Sequence, residues 1–187
     1  MEPTTYVQAY KKRFLGIMDQ ISDADMAQLI ESVREARDAN RQIFVVGNGG
    51  SASTASHFAT DLGKGASLGR ERRFRVLSLT DNIAWITAMA NDTDYSQIFV
   101  EQLKNYAQPG DLLLAFSGSG NSPNIVRTVE WANENGLLTY GMTGRPGGKL
   151  GQTAQRTLFV ESSHMGHIEE GHFLIQHLVG YYFIETE

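Results

Sequence analysis

The sequence predicts an α/β domain: a five-stranded parallel sheet with helices on both faces. Short apolar, β-branched runs alternate with helical patterns along most of the chain. Those runs are continuously apolar rather than alternating, as strands covered on both sides must be. Gly- and Ser-rich turns follow several of them, at the carboxyl ends where such sheets bind ligands. A chain of 187 residues with 41% hydrophobic and 20% charged residues suits one globular domain spanning residues 1–187.

The elements follow in order. Tyr6, Tyr10, Phe14, Met18 and Ile21 recur at helical spacing, with Lys11, Lys12 and Arg13 off that stripe. Ser22-x-x-Asp25 caps a second helix that buries Met26, Leu29, Ile30 and Val33 and stops near Asn40. The aromatic stripe is large for one small domain to cover, so residues 1–40 are expected to form a helical extension for oligomerisation. Ile43–Val46 is the first strand; it runs into Gly47-Asn48-Gly49-Gly50-Ser51 and a helix rich in small residues. Phe74–Leu79 is the second strand, followed by a helix through Ile83–Ala90. Leu112–Phe116 precedes the turn Ser117–Ser122 and a helix from Pro123 to about Asn135. Leu137–Met142 leads into Thr143–Gly148, and Thr157–Val160 is the last strand. A long helix then runs from about His167 to the end.

Composition excludes several function classes. With 16 basic and 21 acidic residues the net charge is −5, so no global basic field attracts nucleic acid. Cysteine is absent, which removes disulfides, thiolate nucleophiles and Cys-type metal sites; any metal must take His, carboxylate or amide ligands. Stretches such as Leu112–Phe116 fall far short of the ~20 apolar residues of a membrane span. The first residues, MEPTTYVQAYKKRF, lack an apolar signal core, so a soluble cytoplasmic protein is expected.

Two loops can carry chemistry. Gly47-x-Gly49-x-x-Ala52 formally fits a dinucleotide fingerprint, but that motif needs an acidic residue about 20 residues on at the end of the next strand, and here the next strand ends near Thr80-Asp81, much too late. Ser117-Gly118-Ser119-Gly120-Asn121-Ser122 is the stronger signal: hydroxyls and free N–H groups at the start of a proline-led helix make an anion cradle without lysine. Its bland alternative is a turn with Ser122 as helix cap. His57 and Asp61 share a helix face; Glu169, Glu170, His172, Gln176 and His177 lie on the last helix, with Glu170 almost aligned with His177 seven residues on and Glu169, eight residues before it, still on one broad stripe. Two helices each offering a carboxylate and a histidine suit a metal or acid–base constellation, although a helical histidine is more often a core residue. Gly63–Arg75, with Lys64, Arg70, Arg72, Arg73 and Arg75, reads as either a solvated loop or a basic rim that steers anions.

In combination these residues resemble a known family. GNGGSASTASHFATDL, Asn91-Asp92, SGSGNSPN, TGRPGGKL and HIEEGHFLIQH follow the order and spacing of the SIS-domain (sugar isomerase) family, of the phosphoheptose isomerase type. The resemblance covers essentially the whole chain. It implies a flavodoxin-like three-layer α/β/α sandwich, a homotetramer, and active sites built partly at subunit contacts. It implies a phosphate loop at Ser117, Gly118, Ser119 and Ser122, and sugar contacts from Asn48, Gly49, Gly50, Ser51, Asn91, Asp92 and Glu169. His57, Asp61, Glu169 and His177 would hold one zinc ion, with Asp61, Glu169 and His177 performing catalysis. The implied reaction converts sedoheptulose 7-phosphate to D-glycero-D-manno-heptose 7-phosphate through an enediol. Isomerisation of another ketose phosphate, and a non-catalytic adaptor like the replication-initiator-associating proteins, are the alternatives. Three positions depart from the family pattern: Asp61 replaces Glu, Glu169 replaces Gln, and Gly118 replaces Thr. Which of Asp61 and Glu169 is the base stays open on sequence grounds.

Overall fold

A computed structural model of the chain describes Met1–Glu187. The helices α1 (Pro3–Met18) and α2 (Asp23–Asp38) precede the strand β1 (Gln42–Gly47) and helix α3 (Gly50–Thr60), which continues into one π-helical turn at Asp61–Gly65. Then come β2 (Arg75–Ser78), α4 (Ile83–Asp92), a 3₁₀ turn at Tyr95–Gln97, α5 (Val100–Tyr106), β3 (Leu112–Phe116) and α6 (Pro123–Glu134). The chain ends with β4 (Leu138–Gly144), α7 (Leu150–Thr153), β5 (Arg156–Val160) and α8 (Met165–Thr186).

All strand pairs are parallel, in the order β2-β1-β3-β4-β5. That is the flavodoxin-like order, and the direction of winding reverses between β1 and β3. Successive side chains of a strand face opposite layers. Ile43 and Val45 of β1 and Leu112, Leu114 and Phe116 of β3 join α2, α3 and α8 in one core. Phe44, Val46, Leu113 and Ala115 join α5, α6 and α7 in the other. The expected three-layer sandwich is therefore observed.

Local differences have physical reasons. The second strand is shorter than the apolar run Phe74–Leu79 because β2 is an edge strand, with Arg75 exposed and Leu77 38% exposed. Helix α8 starts two residues early because the His164 ring accepts the His167 N–H as an N-cap. The short helices α5 and α7 lack a helical period long enough to be read from sequence. The helix α1 forms as expected yet buries no residue within the single chain.

Candidate active site

The switch point sets two loops side by side. Gly47 and Phe116 are the last paired residues of β1 and β3, so Asn48–Gly50 and Ser117–Ser122 leave the sheet together. They enclose a cavity of about 270 Å³ lined by Asn48, Gly49, Gly50, Ser51, Ser117, Gly118, Ser119, Ser122, Met165 and Glu169. The structure thus gathers every predicted substrate-contact residue except Asn91 and Asp92. Those two are exposed in the last turn of α4, where the Asn91 amide donates to the Asp92 carboxylate at 2.8 Å.

The serine loop leaves several hydrogen-bond donors free at the start of a helix. The Asn121 N–H donates to Ser119 Oγ at 3.2 Å, and the Gly120 N–H to the Ser117 carbonyl at 3.0 Å. The N–H groups of Gly118, Ser119 and Ser122 have no acceptor within the chain, at the N-terminal end of α6 where the helix dipole favours negative charge. Gly118 is explained by packing: a Cβ there would lie 2.5 Å from the Met165 sulfur. The methionine thioether occupies the space that a larger loop residue would need.

A second group of side chains forms between α3 and α8. His57 Nε2, Asp61 Oδ2 and one nitrogen of His177 lie within 4.8 Å of one another. His57 Nε2 is 3.4 Å from Asp61 Oδ2 and 3.4 Å from His177 Nε2. Asp61 Oδ2 is buried and has no hydrogen-bond partner. Phe173 is packed edge-on against both imidazoles, at 4.9 and 4.6 Å between ring centres. A buried carboxylate oxygen without a donor, facing two imidazoles, is a donor set that fits a divalent cation.

Glu169 stands apart from that group. Its carboxylate rests on Gly50 at the start of α3, so closely that a Cβ on Gly50 would meet Oε1 at 2.7 Å. Eight residues of helix separate Glu169 from His177, about 12 Å of axial rise. Both line a groove of about 600 Å³ that also includes Gly50, Phe173, Tyr10 and Glu170. There the Tyr10 hydroxyl donates to the Glu170 carboxylate at 3.0 Å.

Sequence reasoning missed three residues beside these loops. Met165 covers the serine loop, and Tyr95 and Asn124 bond to Asn48. Asn124 closes the SGSGNSPN run, but in sequence it is indistinguishable from an ordinary first-turn residue. The basic segment Gly63–Arg75 lies away from the serine loop, beyond α3 and leading into the start of β2. Arg70 donates to the carbonyls of Phe183 and Ile184, Arg72 pairs with Asp38 at 3.2 Å, and Arg75 donates to the Asn40 carbonyl.

Comparison with known proteins places the sequence and the fold in a family. The SIS domain family model matches residues 5–144. A phosphoheptose isomerase of Akkermansia muciniphila is 37% identical over 174 residues, 90% of this chain and 92% of that protein. One from Azoarcus sp. is 36% identical over 157 residues, 82% and 79% of the two chains. The solved structure of a phosphoheptose isomerase from Francisella tularensis superimposes with a TM-score of 0.89, at 27% identity and 100% coverage of both chains. By its sequence match and its fold, the chain belongs to the SIS-domain family and, within it, to the phosphoheptose isomerases.

Proposed function

We propose that the protein isomerises a ketose phosphate to the aldose phosphate, with sedoheptulose 7-phosphate as substrate and D-glycero-D-manno-heptose 7-phosphate as product. The observation that carries this reading is the pairing of a serine-lined anion cavity with a carboxylate and a histidine along one continuous surface of α3 and α8. The relatives named above are phosphoheptose isomerases. Free N–H groups at Gly118, Ser119 and Ser122, with the hydroxyls of Ser119 and Ser122, bind the phosphate. Asn48, Gly49, Gly50 and Ser51 bind the sugar beside it.

The chain's own groups then move two protons. A carboxylate accepts the proton from C1 of the ketose, and His177 gives a proton to O2, which produces the enediol. His177 next takes the proton from O1 while the carboxylate returns its proton to C2, leaving the aldose. We assign the carboxylate to Glu169, because it lines both the substrate cavity and the groove that leads to His177, whereas Asp61, with its Oδ2 buried, is turned to His57 and His177. His57, Asp61 and His177 would hold zinc, which when bound would supply Lewis-acid polarisation of the carbonyl oxygen in place of the proton that His177 gives when free.

The exposed stripe of α1, with Tyr6 half exposed, supports assembly into a homotetramer through residues 1–40. In that assembly the exposed Asn91 and Asp92 of one copy would complete a neighbouring site. No helix is long and apolar enough to cross a membrane; a cytoplasmic location goes with a sugar-phosphate substrate.

The test combines turnover with metal content. A panel of ketose phosphates is assayed with wild type, Glu169→Gln and Asp61→Asn, each with bound zinc measured. Loss of the base predicts a fall of about 10²–10⁴-fold for Glu169→Gln with metal retained, and lost metal for Asp61→Asn. Near-full turnover of Glu169→Gln beside a dead but metal-loaded Asp61→Asn would move the base to Asp61. A wild type inert towards every ketose phosphate would refute the enzyme reading in favour of a non-catalytic adaptor.

A further inference from the structure

Asn48 is the one amide of the substrate cavity whose hydrogen-bonding capacity is almost wholly spent within the protein. Its Nδ2 donates to Asn124 Oδ1 at 2.9 Å, and its Oδ1 accepts from Asn124 Nδ2 at 2.8 Å, a reciprocal amide pair. The Tyr95 hydroxyl donates to the same Oδ1 at 3.2 Å. An amide oxygen has two lone pairs and an amide nitrogen two protons, so a single Nδ2–H of Asn48 remains. Asn124 is fixed in turn: it is 1% exposed, and its Oδ1 also accepts the Ile125 N–H at 3.0 Å. The three residues come from three separate segments: the β1–α3 loop, the turn after α4, and the first turn of α6.

We infer that Asn124 and Tyr95 are positioning residues that lock Asn48 as a pure donor, so that the site recognises an acceptor oxygen of the sugar phosphate there. With both lone pairs occupied, Asn48 cannot flip to accept from a ligand hydroxyl without breaking three hydrogen bonds. The lock is also a mechanical tie: it fixes the glycine loop of β1 to the start of the helix that carries the serine loop, and so sets the width of the cavity between them. This inference rests on the proposed sugar-phosphate reading. The donor acts on binding: the Asn48 amide takes up and releases no proton, so its loss reads in KM, whereas the proton is moved by Glu169, which lines the same cavity.

The experiment is a pair of double-mutant cycles read by steady-state kinetics on sedoheptulose 7-phosphate, with competition by inorganic phosphate as a second arm. Asn48→Ala should raise KM about ten-fold, the worth of one lost donor, and leave kcat within about two-fold. Asn124→Ala should do nearly the same alone and add almost nothing in the Asn48→Ala background, since it acts through Asn48. Tyr95→Phe, an exposed residue losing only a hydroxyl, should raise KM about two- to three-fold and likewise add nothing to Asn48→Ala. An unchanged inhibition constant for inorganic phosphate places the acceptor on the sugar; a parallel ten-fold rise places it on the phosphoryl group, and either result supports the lock. Additive effects in both cycles, or unchanged KM in Tyr95→Phe together with Asn124→Ala, would overturn the lock while the isomerase reading stands. A wild type that neither binds nor converts the ketose phosphate overturns both.

Discussion

His172 should make the fold lose stability in mild acid. The ring is fully buried on α8, 5.5 Å from the Phe116 ring between centroids, and neither nitrogen has a partner. Burial alone pushes its pKa down to about 4. In the unfolded chain an ordinary histidine titrates near 6.5. As pH falls below about 6.5 the unfolded state takes up a proton that the native state refuses, so stability drops until native His172 is itself protonated near pH 4. The loss from this one group is about 3 kcal/mol over the whole window, and about 2 kcal/mol between pH 7 and pH 5. Urea unfolding of wild type and His172→Leu at pH 7 and pH 5, at equal protein concentration, isolates it, because all other titrating groups cancel in the difference. Wild type should lose about 2 kcal/mol more than the variant over that interval. At pH 7 the substitution should be close to neutral, since it removes two unpaired polar atoms from the interior. An identical pH dependence in the two proteins would refute the reasoning, because native His172 would then have to protonate like an exposed histidine.

The remaining expectations concern the loops. Ser119→Ala and Ser122→Ala should each weaken ketose-phosphate binding by about 1–3 kcal/mol in titration calorimetry, and an unchanged dissociation constant in both would remove the serine loop from the site. Gly118→Thr should lower stability by about 1–3 kcal/mol, because its Cβ would meet the Met165 sulfur, and adding Met165→Ala should restore most of it; thermal melts showing no rescue would mean that Met165 is not the obstacle. Neutralising Arg72 and Arg73 together should leave the salt dependence of kcat/KM unchanged, since the segment lies away from the serine loop and Arg72 is paired with Asp38. A fall that grows at low ionic strength would restore the steering role.

Much of this protein is written in local pattern. The strands β1, β3 and β4 read directly from their runs, because a parallel strand buried on both faces has no polar period to obscure it. The serine loop was legible for a related reason: hydroxyls and glycines between a strand and a proline-led helix have few other uses. His57 and Asp61 were readable as one face because four residues make about one helical turn.

What the sequence by itself determined, then, is the order of elements, the layer architecture and the chemical types available at the carboxyl edge of the sheet. Only the tertiary structure decided which of those groups meet. Spacing along α8 put Glu169 and His177 on one stripe, but two helical turns of rise leave Glu169 at the glycine loop while His177 joins His57 and Asp61. Asn91 and Asp92 lie on the exposed end of α4, and the basic segment beyond α3 ties α2 and α8 down instead of lining the serine loop. The Asn48–Asn124–Tyr95 lock joins residues 76 and 47 positions apart, a relation no local period encodes. Periodicity reports the face a side chain occupies on its own element; the meeting of two faces depends on strand order and helix depth, which are set by how the whole chain packs.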